Sequence, residues 1–564
     1  MRALFLVLVF GMLGISNAPQ APPNPVPIIS WISPPSTAPA GPGLTLTVVG
    51  SGFVAGSIVQ LNGAELSTTF LSADQLTAAI SATVIASEGT AFVTVLNPGP
   101  GGGVSNTAFL SITVSTTAVV FGGTTYTVGE YPVCAVTGDF NGDGKLDLAV
   151  GNLNSATVSI LLGNGDGTFG PKQDFATGSN PRSIAVGDFN GDGKLDLAVV
   201  NNVPGTVSIL LGKGDGTFAP KMDFPVGTRP RSVVVGDFNH DGKLDLAVAN
   251  HDSQTVSILL GNGDGTFTLK ENLAAGLEPY WVVTADFNGD GNLDLAVVNY
   301  GSPDYENATV GVYLGDGKGG FTAMQSYEVG WQPLSVAVGD FNGDGNADLA
   351  VTNENYGTEY RTVSILLGDG KGSFAPQTTF NTGSIAYSVG AADFNGDGLT
   401  DLAVLNGGIM LGNGAGSFGP SSPMFPASGR KIFATSGDFN GDGRLDMVAV
   451  DIDRNFAVVY QQVPRASIST HSLNFGSQTV NTRSKPRKVT FNNTGSALLQ
   501  INTIAATGDF SETNNCSSSL MAETSCTIEI TFQPTATGTR TGTVSISNNA
   551  SGTPETISLT GTGE

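Results

Sequence analysis

Histidine and cysteine are nearly missing from these 564 residues, with three of each. His240, His251 and His471 are scattered, and Cys134 stands far from Cys516 and Cys526. That spacing offers no zinc set and no Cys/His pair for nucleophilic catalysis. No G-x-S-x-G occurs either. Basic residues are scarce: 24 Lys plus Arg face 48 Asp plus Glu, a formal charge of -24. Such a polyanion repels nucleic acid and anionic membrane surfaces, and it suits divalent cations instead. Charged residues are only 13% of the chain, and no stretch holds a helical period. Long apolar runs are missing too, apart from one in "MRALFLVLVFGMLGISNA". With one basic residue, an apolar run from Ala3 to about Ile15 and small residues to Ala18, it reads as a signal peptide over 1–18. The run is too short to cross a bilayer comfortably. The expectation is an exported chain, secreted or at the cell surface or periplasm, with no membrane insertion once the signal is removed.

Glycine is plentiful, at 77 residues, which fits many short strands joined by tight turns. "DFNGDGKLDLAV" begins at Asp139 and again at Asp188, with near copies from Asp237, Asp286, Asp340, Asp393 and Asp438. The starts lie 49, 49, 49, 54, 53 and 45 residues apart. Each period holds four β-rich runs divided by Gly-rich turns, which is the unit of a β-propeller. The seventh copy lacks its "G-D-G-x-F" turn and fourth strand, while a spare strand lies before the first copy, around Thr124 to Pro132. An N-terminal strand completing the last blade would close a seven-bladed ring and remove both free edges.

Within each dozen, acids or amides stand at places 1, 3, 5 and 9 and glycine at place 6. Side chains at alternate places can turn inward around one Ca²⁺, which takes six to eight oxygens, with a backbone carbonyl at place 7. The first loop offers Asp139, Asn141, Asp143 and Asp147 with the carbonyl of Lys145; the second offers Asp188, Asn190, Asp192, Lys194 and Asp196. The third reads Asp237, Asn239, Asp241, Lys243, Asp245, and the fourth Asp286, Asn288, Asp290, Asn292, Asp294. The fifth holds Asp340, Asn342, Asp344, Asn346, Asp348, and the sixth Asp393, Asn395, Asp397, Leu399, Asp401. The seventh holds Asp438, Asn440, Asp442, Arg444 and Asp446. About seven Ca²⁺ are expected, taking the formal charge from -24 to about -10. Hairpin-turn chemistry alone would explain Asn-Gly and Asp-Gly, but not Asp at places 1 and 9 in every copy. The second Gly-rich turn carries Asp166, Asp215 and Asp264 in early repeats and loses the acid later, so a turn role is expected there.

"DFNGDGKLDLAV", together with "GTFGP", "GTFAP", "GSFAP" and "GSFGP" after the third strands, resembles the FG-GAP and VCBS repeat family, the repeat of the integrin alpha-subunit head. The resemblance covers about 119–462 and implies an integrin alpha-like propeller with a role in cell adhesion. After a Pro-rich leader over 19–27, residues 28–114 carry "LTVVGSGF", "VQLNG" and "VTVLNPGPGGGVSN". They resemble the IPT/TIG immunoglobulin-like domain. Residues 465–564, with "LNFGSQTVNTRSKPRKVTFNNTGSALLQI" and "ISLTGTG", resemble the Hydin-like (choice-of-anchor) immunoglobulin-like class. The whole is expected to be all-β: a seven-bladed propeller between two sandwiches. In an exported chain Cys516 and Cys526 are expected to pair as a disulfide, the alternative being two buried thiols, and Cys134 reads as a core residue.

In each blade the acidic loop and the "GDG" turn share one face; the other face carries the variable loops, where binding usually sits. Aromatics gather there: Tyr280, Trp281, Tyr300, Tyr305, Trp331, Tyr356, Tyr360 and Tyr387. Packing into neighbouring blades would explain some of them, but polar-rimmed aromatic clusters also mark recognition surfaces. The expectation is adhesion, or binding of an extracellular glycan or protein, and no enzymatic activity. The alternatives are a surface scaffold without a specific ligand and a glycoside-cleaving enzyme using Asp304, Glu306, Glu354 or Glu359.

Overall fold

The computed structural model describes residues 23–117, 119–301, 308–354, 361–384, 386–421 and 431–564. The expected signal segment and the start of the leader lie outside them. All regular structure among the described residues is β. No helix there is long and apolar enough to cross a membrane.

The repeats build seven sheets, six of four strands and one of three among the described residues. Inner strands such as Pro132–Gly138 and Pro181–Gly187 each contact the next, and Lys431–Gly437 returns to Pro132–Gly138. The three-stranded sheet runs Val389–Ala392, Asp401–Val404, Gly408–Met410; the stretch expected to supply its fourth strand falls outside the described residues. The spare N-terminal strand is Phe121–Thr127, slightly earlier than the sequence suggested. It pairs antiparallel with Phe456–Gln462 from Phe121↔Gln462 to Thr127↔Phe456, completing the sheet that holds Lys431–Gly437 and Asp446–Asp451.

Blades are held together mainly by apolar surface, since the second strand of each is buried on both faces, as Asp147–Asn152 is throughout. An aromatic seam repeats around the ring. The Phe of each "DFNGDG" packs edge-on against the Phe after the "GDG" turn of the next blade: Phe140 on Phe218 (5.8 Å), Phe189 on Phe267 (5.5 Å), Phe341 on Phe418 (5.6 Å). Phe439 on Phe169, at 5.5 Å, closes the circle. The turn's second Gly donates its N–H to the same loop's Phe carbonyl, Gly216 to Phe140 and Gly416 to Phe341. The seventh repeat has no such turn; there the side-chain amide of Gln462 donates to the Phe394 carbonyl at 2.9 Å.

Residues before and after the ring form two sandwiches. Cys516 and Cys526 are joined by a disulfide in the second. Cys134 is buried in an inner strand, and burial pushes its thiol up to about 12. The first sandwich does more than space domains apart. Val26, Ile28 and Trp31 pack against blade cores, beside Ala185, Val235, Val283 and Val338 at the loop ends of the inner strands.

Candidate functional site

Each acidic loop is folded by its own side chains. Asp139 Oδ1 accepts from Gly142 N (2.7 Å) and Asp143 N (3.1 Å), and its Oδ2 accepts from Gly144 N (2.8 Å). Asn141 Oδ1 takes Asp143 N, and Asp143 Oδ1 takes Lys145 N. Gly142 and Gly144 have φ of 74° and 79°, which glycine adopts without a Cβ clash. The place-9 residue is fully buried: Asp147 accepts from Phe140 N (2.9 Å) and, across the hairpin, from Gly163 N (2.8 Å). Asp196, Asp245, Asp348 and Asp401 repeat the arrangement. The place-9 carboxylate thus also serves the backbone, a role that sequence spacing does not reveal.

Among the described residues no group of three or more His, Cys, Asp or Glu side chains is gathered closely enough to hold a metal ion. The donor chemistry of the loops nonetheless fits a hard cation. Burial pushes Asp147 and Asp196 up to about 6 and Asp245 and Asp294 up to about 8, and in each the carboxylates at places 1 and 5 push the same way. Lys145 near Asp143 (3.5 Å) is a weak, exposed counter-charge, and places 292, 346 and 399 carry none. Three carboxylates, an amide and a carbonyl per loop form an oxygen set of the type Ca²⁺ takes. In the "GDG" turns, Asp166 Oδ1 accepts from Thr168 N and Oγ1, as a turn residue does.

The first sandwich sits on part of this loop face. Asp237 Oδ2 accepts from Val26 N (2.9 Å), and Ser36 Oγ donates to Asp393 Oδ2 (2.5 Å). Thr116 N donates to the Asn395 carbonyl, Gly52 N to the Gly291 carbonyl, and Arg444 to the Val114 carbonyl. Loops three, four, six and seven are thus in contact with this domain, and Asp143 and Asp192, in loops one and two, are exposed.

At the opposite ends of the inner strands lies a cavity lined by Arg182, Arg231, Tyr280, Trp281 and Tyr387, among others. Tyr280 and Trp281, expected in an incoming loop, belong to the inner strand Pro279–Ala285. Tyr280 lies under the Arg231 guanidinium (4.8 Å) and stacks on Tyr300 (5.9 Å). Trp281 packs partly into the core between blades four and five, so packing accounts for part of this cluster. Trp331 is 47% exposed. Tyr305, Tyr356 and Tyr360 lie outside the described residues, as do Asp304, Glu306 and Glu359. Glu354 is raised by burial, offset by Arg361. Arg182 and Arg231 occupy equivalent places in "NPRS" and "RPRS", and only the closed ring brings them to one cavity.

Residues 139–199, 188–248, 237–297, 287–351 and 352–404 match the FG-GAP-like repeat family. Residues 27–128 match the IPT/TIG domain and 463–564 match Cep192 domain 4. No curated protein matches the chain. Among solved structures, a Dos1 propeller is 11% identical, covering 60% of this chain and 94% of its own, with a TM-score of 0.38. A periplasmic gluconolactonase of Pseudomonas aeruginosa is 17% identical over 63% of this chain and 86% of its own, with a TM-score of 0.35. A PapD-like domain of human CEP192 is 12% identical, covering 18% of this chain and 84% of its own, with a TM-score of 0.16. Residues 139–404 are therefore a run of FG-GAP-like repeats, set between an IPT/TIG domain and an immunoglobulin-like domain of the Cep192 domain 4 type.

Proposed function

We propose that this is an exported calcium-binding propeller protein of adhesion or extracellular recognition, binding a glycan or protein with the face opposite its acidic loops. The fold fits a ligand-binding or adhesion-type protein. The observation that carries the finer reading is the cavity where Tyr280, Trp281 and Tyr387 converge, on the same side as the exposed Trp331. Aromatic side chains supply large contact area at little entropic cost, and they stack on the C–H faces of sugars. Calcium would be held by the place 1, 3, 5 and 9 side chains with the place 7 carbonyl, and its contribution is charge neutralisation in the loops. Chemistry on the ligand is not part of this reading. The test is a glycan and matrix-protein array, with and without chelator, on wild type and on a Trp331→Ala/Tyr387→Ala variant. A ligand bound by wild type and weakened at least tenfold in the variant supports the reading. An array with no ligand favours the scaffold alternative.

A further inference from the structure

The axial cavity is built from equivalent places in six repeats. The residue six places before each opening aspartate is Val133, Arg182, Arg231, Tyr280, Leu334 and Tyr387 in the first six repeats, and all six line the cavity. In the first five blades this residue sits at a β-bulge: the register skips between Pro132 and Cys134, Pro181 and Ser183, Pro230 and Ser232, Pro279 and Trp281, and Pro333 and Ser335. A bulge re-aims a side chain out of the sheet's alternation, here toward the ring axis. The scaffold thus presents one freely variable residue per blade around a single opening.

Two adjacent blades present arginine. Nε of Arg182 and Nε of Arg231 are buried and have no hydrogen-bond partner, and neither guanidinium forms an ion pair among the described residues. Burial, and then the nearby Arg231, hold Arg182 below the usual arginine range. Two half-buried guanidinium groups facing one cavity repel each other, a cost that an anion between them would offset. In a chain with 24 basic residues and 48 acidic ones, no carboxylate lines this cavity among the described residues. The cavity, about 70 Å³, is too small for a drug-sized ligand but admits a carboxylate. Tyr280, Trp281 and Tyr387 also line it, and such aromatic faces offer a wall on which the attached sugar ring could stack.

We propose that the axial cavity binds a uronic-acid unit of an acidic glycan, its carboxylate between Arg182 and Arg231 and its ring against the aromatic wall. This rests on the glycan-binding reading above and narrows it to an acidic sugar. Arginine holds carboxylates through paired, charge-assisted N–H donors, so the recognition is specific to a planar anion.

The test is calorimetric titration of the full chain with trigalacturonate, with neutral galactotriose and with an aspartate-rich hexapeptide. Trigalacturonate should bind at least tenfold more tightly than galactotriose. Arg182→Gln and Arg231→Gln should each remove at least tenfold, with the melting temperature held, and Arg231→Lys should retain part of the affinity. Equal binding of both sugars, untouched by the arginine variants, overturns the acidic specificity and leaves glycan binding intact. Tighter binding of the peptide than of either sugar overturns the sugar assignment. No binding of either sugar at millimolar concentration overturns this proposal, while a protein ligand on the array would still support the broader reading. If the Gln variants unfold, loss of trigalacturonate binding at raised ionic strength in the wild type, with galactotriose unaffected, is the substitute readout.

Discussion

Asp147 is fully buried and accepts from two backbone N–H groups, Phe140 in its own loop and Gly163 across the hairpin. Asp147→Ala would strand both donors, at about 1–3 kcal/mol each. The expected loss is about 3 kcal/mol, read as a lower urea midpoint, and it should appear without calcium as well as with it. An effect seen only with calcium would mean that the carboxylate serves the ion and not the backbone. Cys134 gives a second check at this scale. Burial keeps its thiol protonated, since the folded value of about 12 lies far above neutral pH. A thiol reagent at pH 8 should leave the native protein unmodified and label one cysteine per chain on unfolding; fast native labelling would contradict the packing around Gly151 and Ile184.

At the level of strands and blades, ring closure is the feature most exposed to test. Deleting 119–129 removes the partner of Phe456–Gln462 and uncovers an edge. The ring should then lose its cooperative melt, and a deletion variant that melts with the wild type would show that the pairing is dispensable. The aromatic seam predicts a graded result: Phe218→Ala, which leaves Phe140 without its ring partner, should cost about 3–5 kcal/mol. The four-strand period, the turn glycines and the closing strand were legible because they are local patterns of period and turn chemistry. The seam was half legible: both phenylalanines are plain in the text, but their contact joins different blades. The backbone role of the place-9 aspartate was hidden for the same reason, because its second donor, Gly163, lies across the hairpin. Tyr280 was hidden because "EPYW" reads as loop, when it belongs to a strand starting at Pro279, and a bulge leaves no mark in the text.

For the whole molecule the two faces predict separable behaviour. Each filled calcium site adds roughly 1.4 kcal/mol at tenfold excess over Kd, so seven sites could approach about 10 kcal/mol. Chelation should lower the melting temperature strongly and leave ligand affinity at low temperature unchanged, and Trp331→Ala should do the reverse. Binding abolished by chelator with the fold intact would place the ligand on the loop face instead. The docked first sandwich adds a further expectation: calcium titration should resolve two groups of loops, since Asp237 and Asp393 already accept from Val26 and Ser36. Ser36→Ala should shift only the second group.

The closing strand pair also decides how the molecule would behave under tension. The chain enters the ring from the first sandwich at Phe121 and leaves it for the second at Gln462, and these two residues face each other. Pulling the sandwiches apart therefore loads the ladder from one end, so its hydrogen bonds break singly and in order, as a zipper opens, rather than together as in a sheared joint. Contacts off the ladder must give first: Glu523 with Thr117, Ser496 with the backbone of Val120, and the first sandwich with the loops at Asp237 and Asp393. In an optical trap the ring should yield at low force after one small initial step, and Glu523→Ala should erase that step alone.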